Sequence, residues 1–387
     1  MHFFQRYPQI GQFLLTLAKT HIVFGPFPHL FQKLVAFQQI QQRIADLVFV
    51  PAFLAHGFGK GDDLLHLFII QFFQGHFRLR SFSLNEIQYS PFSLFRIPTH
   101  LPVPDPSSQR SILITGCSSG IGYHVAQGLK ERGYRVFASV RKTTDVTRLE
   151  AEGLESLQLD LDDEASIQAA VREVLRRTDG RLYALFNNGA YGQAGAVEDL
   201  SRDTLRAQLE TNLLGWHDLT CRIIPAMRKQ GSGRIIQNSS VLGFAAMPYR
   251  GAYNCSKFAL EGLTDTLRLE LAGTGIHVSL IEPGPIRSRF RANAYAMFIK
   301  NIDMDNSYHA AQYRKQIERL QKAGDAAPFT LGPDAVLKKV IHALESPRPR
   351  PRYYVTFPTY LFGYLKRLLS TRMLDRLMLK ASGGGEN

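Results

Sequence analysis

From residue 111 onward the chain alternates between two hydrophobic patterns. Short runs rich in β-branched residues, SILIT (111–115), RVFASV (135–140), ESLQLDL (155–161), LYALFNN (182–188), GRIIQNSS (233–240) and HVSLIEPG (277–284), read as strands. Between them, stretches such as YHVAQGLKERG and EASIQAAVREVLRR return apolar side chains every three or four positions and read as helices. Strands separated by helices of ten or more residues predict an α/β, doubly wound parallel sheet of Rossmann type, with helices on both faces. In such sheets ligands bind beyond the carboxyl ends of the strands.

Before residue 109 neither period is sustained. That stretch holds 17 of the 26 Phe and seven of the 12 His but only five acids, and it shows no evident fold. It contains no apolar run of the ~18 residues needed to cross a bilayer, and MHFFQRYPQI lacks the basic region, apolar core and cleavage site of a signal peptide. Three segments follow: an N-terminal extension (1–108), a domain of alternating strands and helices (109–330) and a helical, basic amphipathic tail (331–387). The extension is expected to contribute nothing to the work of that domain, as would an upstream stretch translated in error. A membrane- or partner-binding segment is the competing expectation.

Composition narrows the partners. A net charge of +13 suits nucleic acid, an anionic membrane surface or a phosphorylated ligand. No basic run with interleaved aromatics marks a nucleic-acid face, which argues against that partner. Cys117, Cys221 and Cys255 lack the spacing of a zinc site, so no metal is expected. Together with the missing signal peptide, this points to a reducing, cytoplasmic setting.

Two places carry chemistry. TGCSSGIG (115–122) sets Gly116, Gly120 and Gly122 between strand and helix, where backbone can approach a pyrophosphate at a helix N-terminus. An NAD-type site would place an acid at the end of the second strand; here SVRK offers Arg141 and Lys142 instead. Cations there favour NADP(H) over NAD(H). In GAYNCSKFAL (251–260), Tyr253 and Lys257 are four apart, so on a helix they share one face. A neighbouring ammonium is expected to lower the phenol pKa towards working pH.

TGCSSGIG, LDLDD, NNGA, the asparagine of TNLLG, NSS, YNCSK and EPGPIRS, in that order and spacing, resemble the short-chain dehydrogenase/reductase family. The resemblance spans about residues 110 to 290. It is nearest the branch that handles steroid, retinoid and other lipophilic carbonyls or alcohols, and the tail from FTLGP is similar to that of bacterial relatives. It implies that Tyr253 exchanges the substrate proton and that Lys257 lowers its pKa and holds the nicotinamide ribose. Ser240, 13 residues before the tyrosine, would bond the substrate oxygen, and Asn212 would anchor a water leading to Lys257. It further implies cofactor contacts from Gly116, Cys117, Ser118, Gly120, Ile121 and Gly122. Asp160 and Leu161 would meet the adenine, Asn187 the adenosine ribose, and Pro283, Ile286 and Ser288 the nicotinamide. The family's usual Asn-Asn-Ala-Gly is here Asn187-Asn188-Gly189-Ala190.

The expected function is therefore hydride transfer between NADP(H) and a carbonyl or alcohol of a lipophilic small molecule. A non-catalytic NADP(H)-binding redox sensor or scaffold is the alternative. Residues 289–330, with Phe290, Tyr295, Met297, Phe298, Ile302, Met304 and Tyr308, are expected to cover the substrate or to pack among themselves. The tail is suited to peripheral contact with the inner face of a membrane, or to packing on its own domain. A homo-oligomer is a further expectation. His217 reads as a partly buried helix residue, and Cys221 and Cys255 as core or helix packing.

Overall fold

The computed structural model describes residues 67–68, 81–82, 110–321, 324–325 and 327–382. Apart from a two-residue antiparallel pairing of Leu67–Phe68 with Ser81–Phe82, the expectations for residues 1–108 lie outside the described residues.

Seven strands form one sheet: β1 (Ser111–Ile114), β2 (Arg135–Val140), β3 (Glu155–Gln158), β4 (Ala184–Asn187), β5 (Gly233–Asn238), β6 (Ile276–Glu282) and β7 (Arg352–Tyr354). Their order is β3-β2-β1-β4-β5-β6-β7, and every neighbouring pair is parallel. The order reverses between β1 and β4, which opens a crevice at their carboxyl ends. β1 and β4 are buried along their whole length because helices cover both faces. Successive residues of β1 point to opposite cores. Ile112 and Ile114 enter a cluster with Val125, Leu129, Val336 and Val340, while Leu113 enters one with Phe137, Trp216, Leu219 and Ile223. The first core is roofed by α1 (Gly120–Glu131) and α9 (Asp334–Glu345).

The remaining helices are α2 (Thr143–Ala151), α3 (Glu164–Arg177), α4 (Arg202–Leu209), α5 (Gly215–Gln230), α6 (Gly251–Glu270), α7 (Phe290–Asn301) and α8 (Ala310–Gln321). Two more, α10 (Phe357–Leu368) and α11 (Thr371–Ala381), close the described chain. Caps fix the entries of two: the Asp163 carboxylate accepts from Ala165 N at α3, and Ser201 Oγ accepts from Thr204 N at α4. The C-terminal segment is helical at its end and also supplies β7, a strand beyond those read from the sequence. Among the described residues, no helix is long and apolar enough to cross a membrane.

The sequence pattern placed His217, Cys221 and Cys255 on packed faces, but Cys221 and Cys255 are exposed, as is His217. The buried stripe of α5 is Trp216, Leu219, Thr220, Ile223 and Met227, so His217 and Cys221 fall on its other side. There a groove of about 510 Å³ runs between α5 and α6, lined by Leu214, His217, Gly262 and Leu263.

Candidate active site

The glycine loop follows β1 directly. Gly116 takes φ +70°, and a Cβ there would come within 2.5 Å of Gly189 Cα, so the two loops touch backbone to backbone. Thr115 Oγ1 fastens that contact by accepting from Asn188 N and Gly189 N, both at 2.8 Å. The exchange of Ala and Gly in NNGA fits this packing: Gly189 sits at the crowded point, and Ala190 needs no left-handed backbone. α1 begins at Ser119 with no side-chain cap and no acid in its first turn, so its N–H groups are available to an anion.

At the end of β2, Arg141 and Lys142 are exposed, and among the described residues no carboxylate pairs with either. A third cation, Arg148 of α2, is held by Asp145 and Glu152 and donates to Ser118 O at 2.8 Å; sequence reading missed it because the contact spans 30 residues. Arg141, Lys142 and the uncapped helix fit a phosphate-bearing nucleotide. Other expected cofactor residues are committed within the fold. Cys117 is fully buried, its thiol donates to Ile114 O at 3.3 Å, and burial pushes its pKa far up. Asn187 is also fully buried, its amide donating to Thr220 Oγ1 and Gln237 Oε1 at 2.9 and 3.0 Å. Asp160 Oδ1 accepts from Asp162 N, and Leu161 packs under α5. After β6, Pro283 O accepts from Val241 N, Ile286 bridges to Leu331, and Ser288 Cβ stands 3.0 Å from where a Gly120 Cβ would lie. The loop after β6 thus arches over the glycine loop, with Ile121 and Gly122 on the helix beneath.

The second half of the site is built on α6. Tyr253 and Lys257 lie on its first two turns, facing the carboxyl end of β5, where Ser240 follows the strand. Ser240 Oγ accepts from Leu242 N at 3.1 Å, and Ser240, not Ser239, is the serine whose hydroxyl pulls the Tyr253 pKa down. Lys257 is 1% exposed; its Nζ donates to Asn238 O at 2.8 Å and lies 4.2 Å from the Trp216 ring centre and 5.7 Å from that of Tyr253. Trp216 also donates its Nε1 to Gly189 O at 2.8 Å, joining the cation to the nucleotide loop. It is the chain's single Trp, four residues after Asn212, and that spacing was the available signal.

Asn212 lies in a π turn (Glu210–Leu214) that joins α4 to α5. The widened turn aims its side chain at Tyr191, whose N–H it accepts at 3.2 Å and whose carbonyl it donates to at 2.8 Å. It also reaches Ser256 Oγ at 3.3 Å, and Ser256 Oγ donates to Tyr253 O.

The electrostatics depart from the sequence expectation. Burial raises the Tyr253 phenol to about 12, with the Ser240 hydrogen bond pulling the other way. Burial also lowers Lys257 to about 7, opposed by Glu261 one turn on. Desolvation sets the direction of both shifts, and with its pKa pushed up to about 12 the phenol is protonated.

Behind Lys257, Arg352 of β7 clamps three carboxylates. It donates to Glu282 Oε1 and Asp265 Oδ2, each at 2.6 Å, and to Glu261. Burial and then Glu261 raise the Glu282 pKa. On the open side, the Phe290 ring stands edge-on to Tyr253 at 5.3 Å and fills the space beside Gly192. Phe298 and Ile302 instead pack with Tyr313 and Ala196, and Tyr308 is 91% exposed. Of the apolar residues expected to cover the substrate, Phe290 is the one whose ring meets Tyr253.

A family model described as short chain dehydrogenase matches residues 110–297. The oxidoreductase YbbO of Escherichia coli K12 is 45% identical over 270 residues, 70% of this chain and 94% of its own. The chain belongs to the short-chain dehydrogenase family. Human 17-beta-hydroxysteroid dehydrogenase type 1 is 35% identical, over 63% of this chain and 77% of its own. The NADPH-dependent 3-dehydrocapnine reductase of Ornithobacterium rhinotracheale is 31% identical, over 70% and 96%. A solved short-chain dehydrogenase from Streptomyces avermitilis is similar at a TM-score of 0.56 and 25% identity, over 73% of this chain and all of its own. Family membership makes the protein an oxidoreductase with a nicotinamide-nucleotide fold.

Proposed function

We propose that the protein catalyses NADP(H)-dependent interconversion of a carbonyl and an alcohol on a lipophilic small molecule, with reduction as the favoured direction. The observation that carries this reading is the meeting of Ser240, at the end of β5, with Tyr253 and the buried Lys257 of α6, whose Nζ lies 5.7 Å from the Tyr253 ring centre. Dihydronicotinamide, when bound, supplies the hydride for the carbonyl carbon. Tyr253 gives its proton to the carbonyl oxygen, which leaves the alcohol. Ser240 donates a hydrogen bond to that oxygen as negative charge develops on it. A phenol held near 12 is protonated across the physiological range and so enters reduction as the acid. Lys257 and Asn212 hold the cofactor side of the site and its proton supply. Arg141, Lys142 and Ser118 are the contacts for a 2′-phosphate, and the NADPH dependence named for one relative supports that assignment. The Phe290 ring over Tyr253 favours an apolar substrate, in keeping with a relative named for hydroxysteroids.

A sensor that only bound NADP(H) would need neither a buried lysine nor a phenol beside it, so the non-catalytic alternative is disfavoured. The test is Tyr253→Phe, assayed with NADPH and a panel of apolar aldehydes and ketones. Turnover should fall by roughly 10²–10⁴ while NADPH fluorescence titration stays nearly unchanged. Full activity in the variant would reject the mechanism.

A further inference from the structure

α10 and α11 present two unlike faces. On the inner one, Phe362 and Met378 are buried against Val241, Leu242 and Ala245, with Tyr253 packed on the same cluster. These residues form the turn that follows Ser240. On the outer one, Tyr360, Tyr364 and Leu368 recur every fourth residue along α10 and are 38%, 60% and 77% exposed. Met373 and Leu379 of α11 add further exposed apolar surface.

Around that apolar stripe the charge has one sign. Residues 357–382 carry five cations, Lys366, Arg367, Arg372, Arg376 and Lys380, against the single acid Asp375. All five cations are exposed, and among the described residues none forms an ion pair with a carboxylate. A folded chain gains nothing by leaving Leu368 and Tyr364 in water beside a ring of unneutralised charge. A partner that fits both features offers apolar depth behind a negatively charged surface. An anionic bilayer has that structure, with Tyr rings favoured at the headgroup boundary and Lys and Arg drawn to its phosphates. α10 has 12 residues, about 18 Å of helix, which is too short to span and suited to lie in the plane.

We propose that the α10–α11 hairpin is a docking surface for anionic lipid bilayers, with Tyr364 and Leu368 entering the headgroup boundary and the five cations on lipid phosphates. Because the inner face packs on the turn after Ser240 and on Tyr253, a docked molecule holds the wall of its active site against the membrane. The docking stands on the hairpin alone and does not require the substrate assignment.

The experiment is co-sedimentation of the full chain with phosphatidylcholine vesicles, with and without phosphatidylglycerol, at low and high salt. Binding should need phosphatidylglycerol and be released by salt. Arg372→Glu with Arg376→Glu should weaken it by roughly tenfold or more, as should Tyr364→Ser with Leu368→Ser. All four substitutions should leave turnover of a water-soluble aldehyde unchanged, which also reports that the variants fold. Arg228→Glu with Lys229→Glu, on the far end of α5, should bind as the parent does. No binding to phosphatidylglycerol vesicles at low salt would overturn the proposal, as would equal losses in the α5 control, which would assign the effect to diffuse charge. Conversion of an oligomer to monomer by Tyr364→Ser with Leu368→Ser, vesicle binding intact, would assign the face to a second copy.

Discussion

At the level of single residues, burial overrides what neighbours in sequence suggest. Tyr253 and Lys257 were legible from spacing alone, since four residues place them on one helix face; the direction of their pKa shifts was not, because desolvation depends on everything packed around them. A pH profile follows. Lys257 is charged below about 7 and loses its charge above it, whereas Tyr253 stays protonated to about 12. Reduction is expected to slow as pH rises through about 7, with no separate loss from the tyrosine in the working range. The same shift acts on stability. A free lysine titrates at 10.5, so between about 7 and 10.5 the unfolded chain holds the proton that the folded chain has released, and stability should rise with pH across that window. Urea titrations at pH 7 and 9, read against Lys257→Met, check the sign; a slope that the variant leaves unchanged would place the effect elsewhere. For the cofactor, Arg141→Asp should move preference from NADPH towards NADH, since a carboxylate repels a 2′-phosphate and accepts from ribose hydroxyls. The measured quantity is the ratio of kcat/KM for the two cofactors, and a parent protein that already favours NADH would defeat the assignment.

At the level of elements, the six strands read from the sequence are present because each is a compact apolar run bounded by turn residues. β7 escaped notice for a physical reason. RYY is three residues long, too short to show the alternation of a strand, and Pro358 just after it marks only the start of α10. Yet β7 carries Arg352, the residue that ties α6 to β6 through Glu261, Asp265 and Glu282. Removing the cation leaves buried carboxylates facing one another. Arg352→Ala is expected to cost about 3 kcal/mol, at the lower end for a broken buried pair, because the guanidinium is 29% exposed. Equilibrium denaturation measures it, and Arg352→Lys should recover part of the loss. A change within about 0.5 kcal/mol would show that the clamp holds nothing.

For the whole molecule, the doubly wound architecture was legible because its signal is spread over many segments, whereas surfaces left for partners are set by what the fold leaves uncovered. The groove between α5 and α6 is such a surface. Ala259, Gly262, Leu263 and Thr266 fall on one stripe of α6, and a Cβ on Gly262 would meet nothing within 4 Å. Small residues beside an exposed leucine would let a twofold-related copy bring helix against helix, and we propose this surface for the homo-oligomer expected from the sequence. Leu263→Asp should lower the sedimenting mass to that of one chain while far-ultraviolet circular dichroism stays unchanged. A parent chain that already sediments as a monomer would refute it.

The π turn at Glu210–Leu214 also bears on how such a chain can change by descent. A helix advances about 100° per residue, so losing a residue within α5 itself would turn Leu219, Ile223 and Met227 off the sheet. The π turn holds one residue more than a regular turn, so a residue lost there leaves the direction of α5 as it was. What such a loss removes is the widening that aims Asn212 at Tyr191. The chain can therefore change length by one residue at this turn without unseating its core, at the expense of the Asn212 contacts alone.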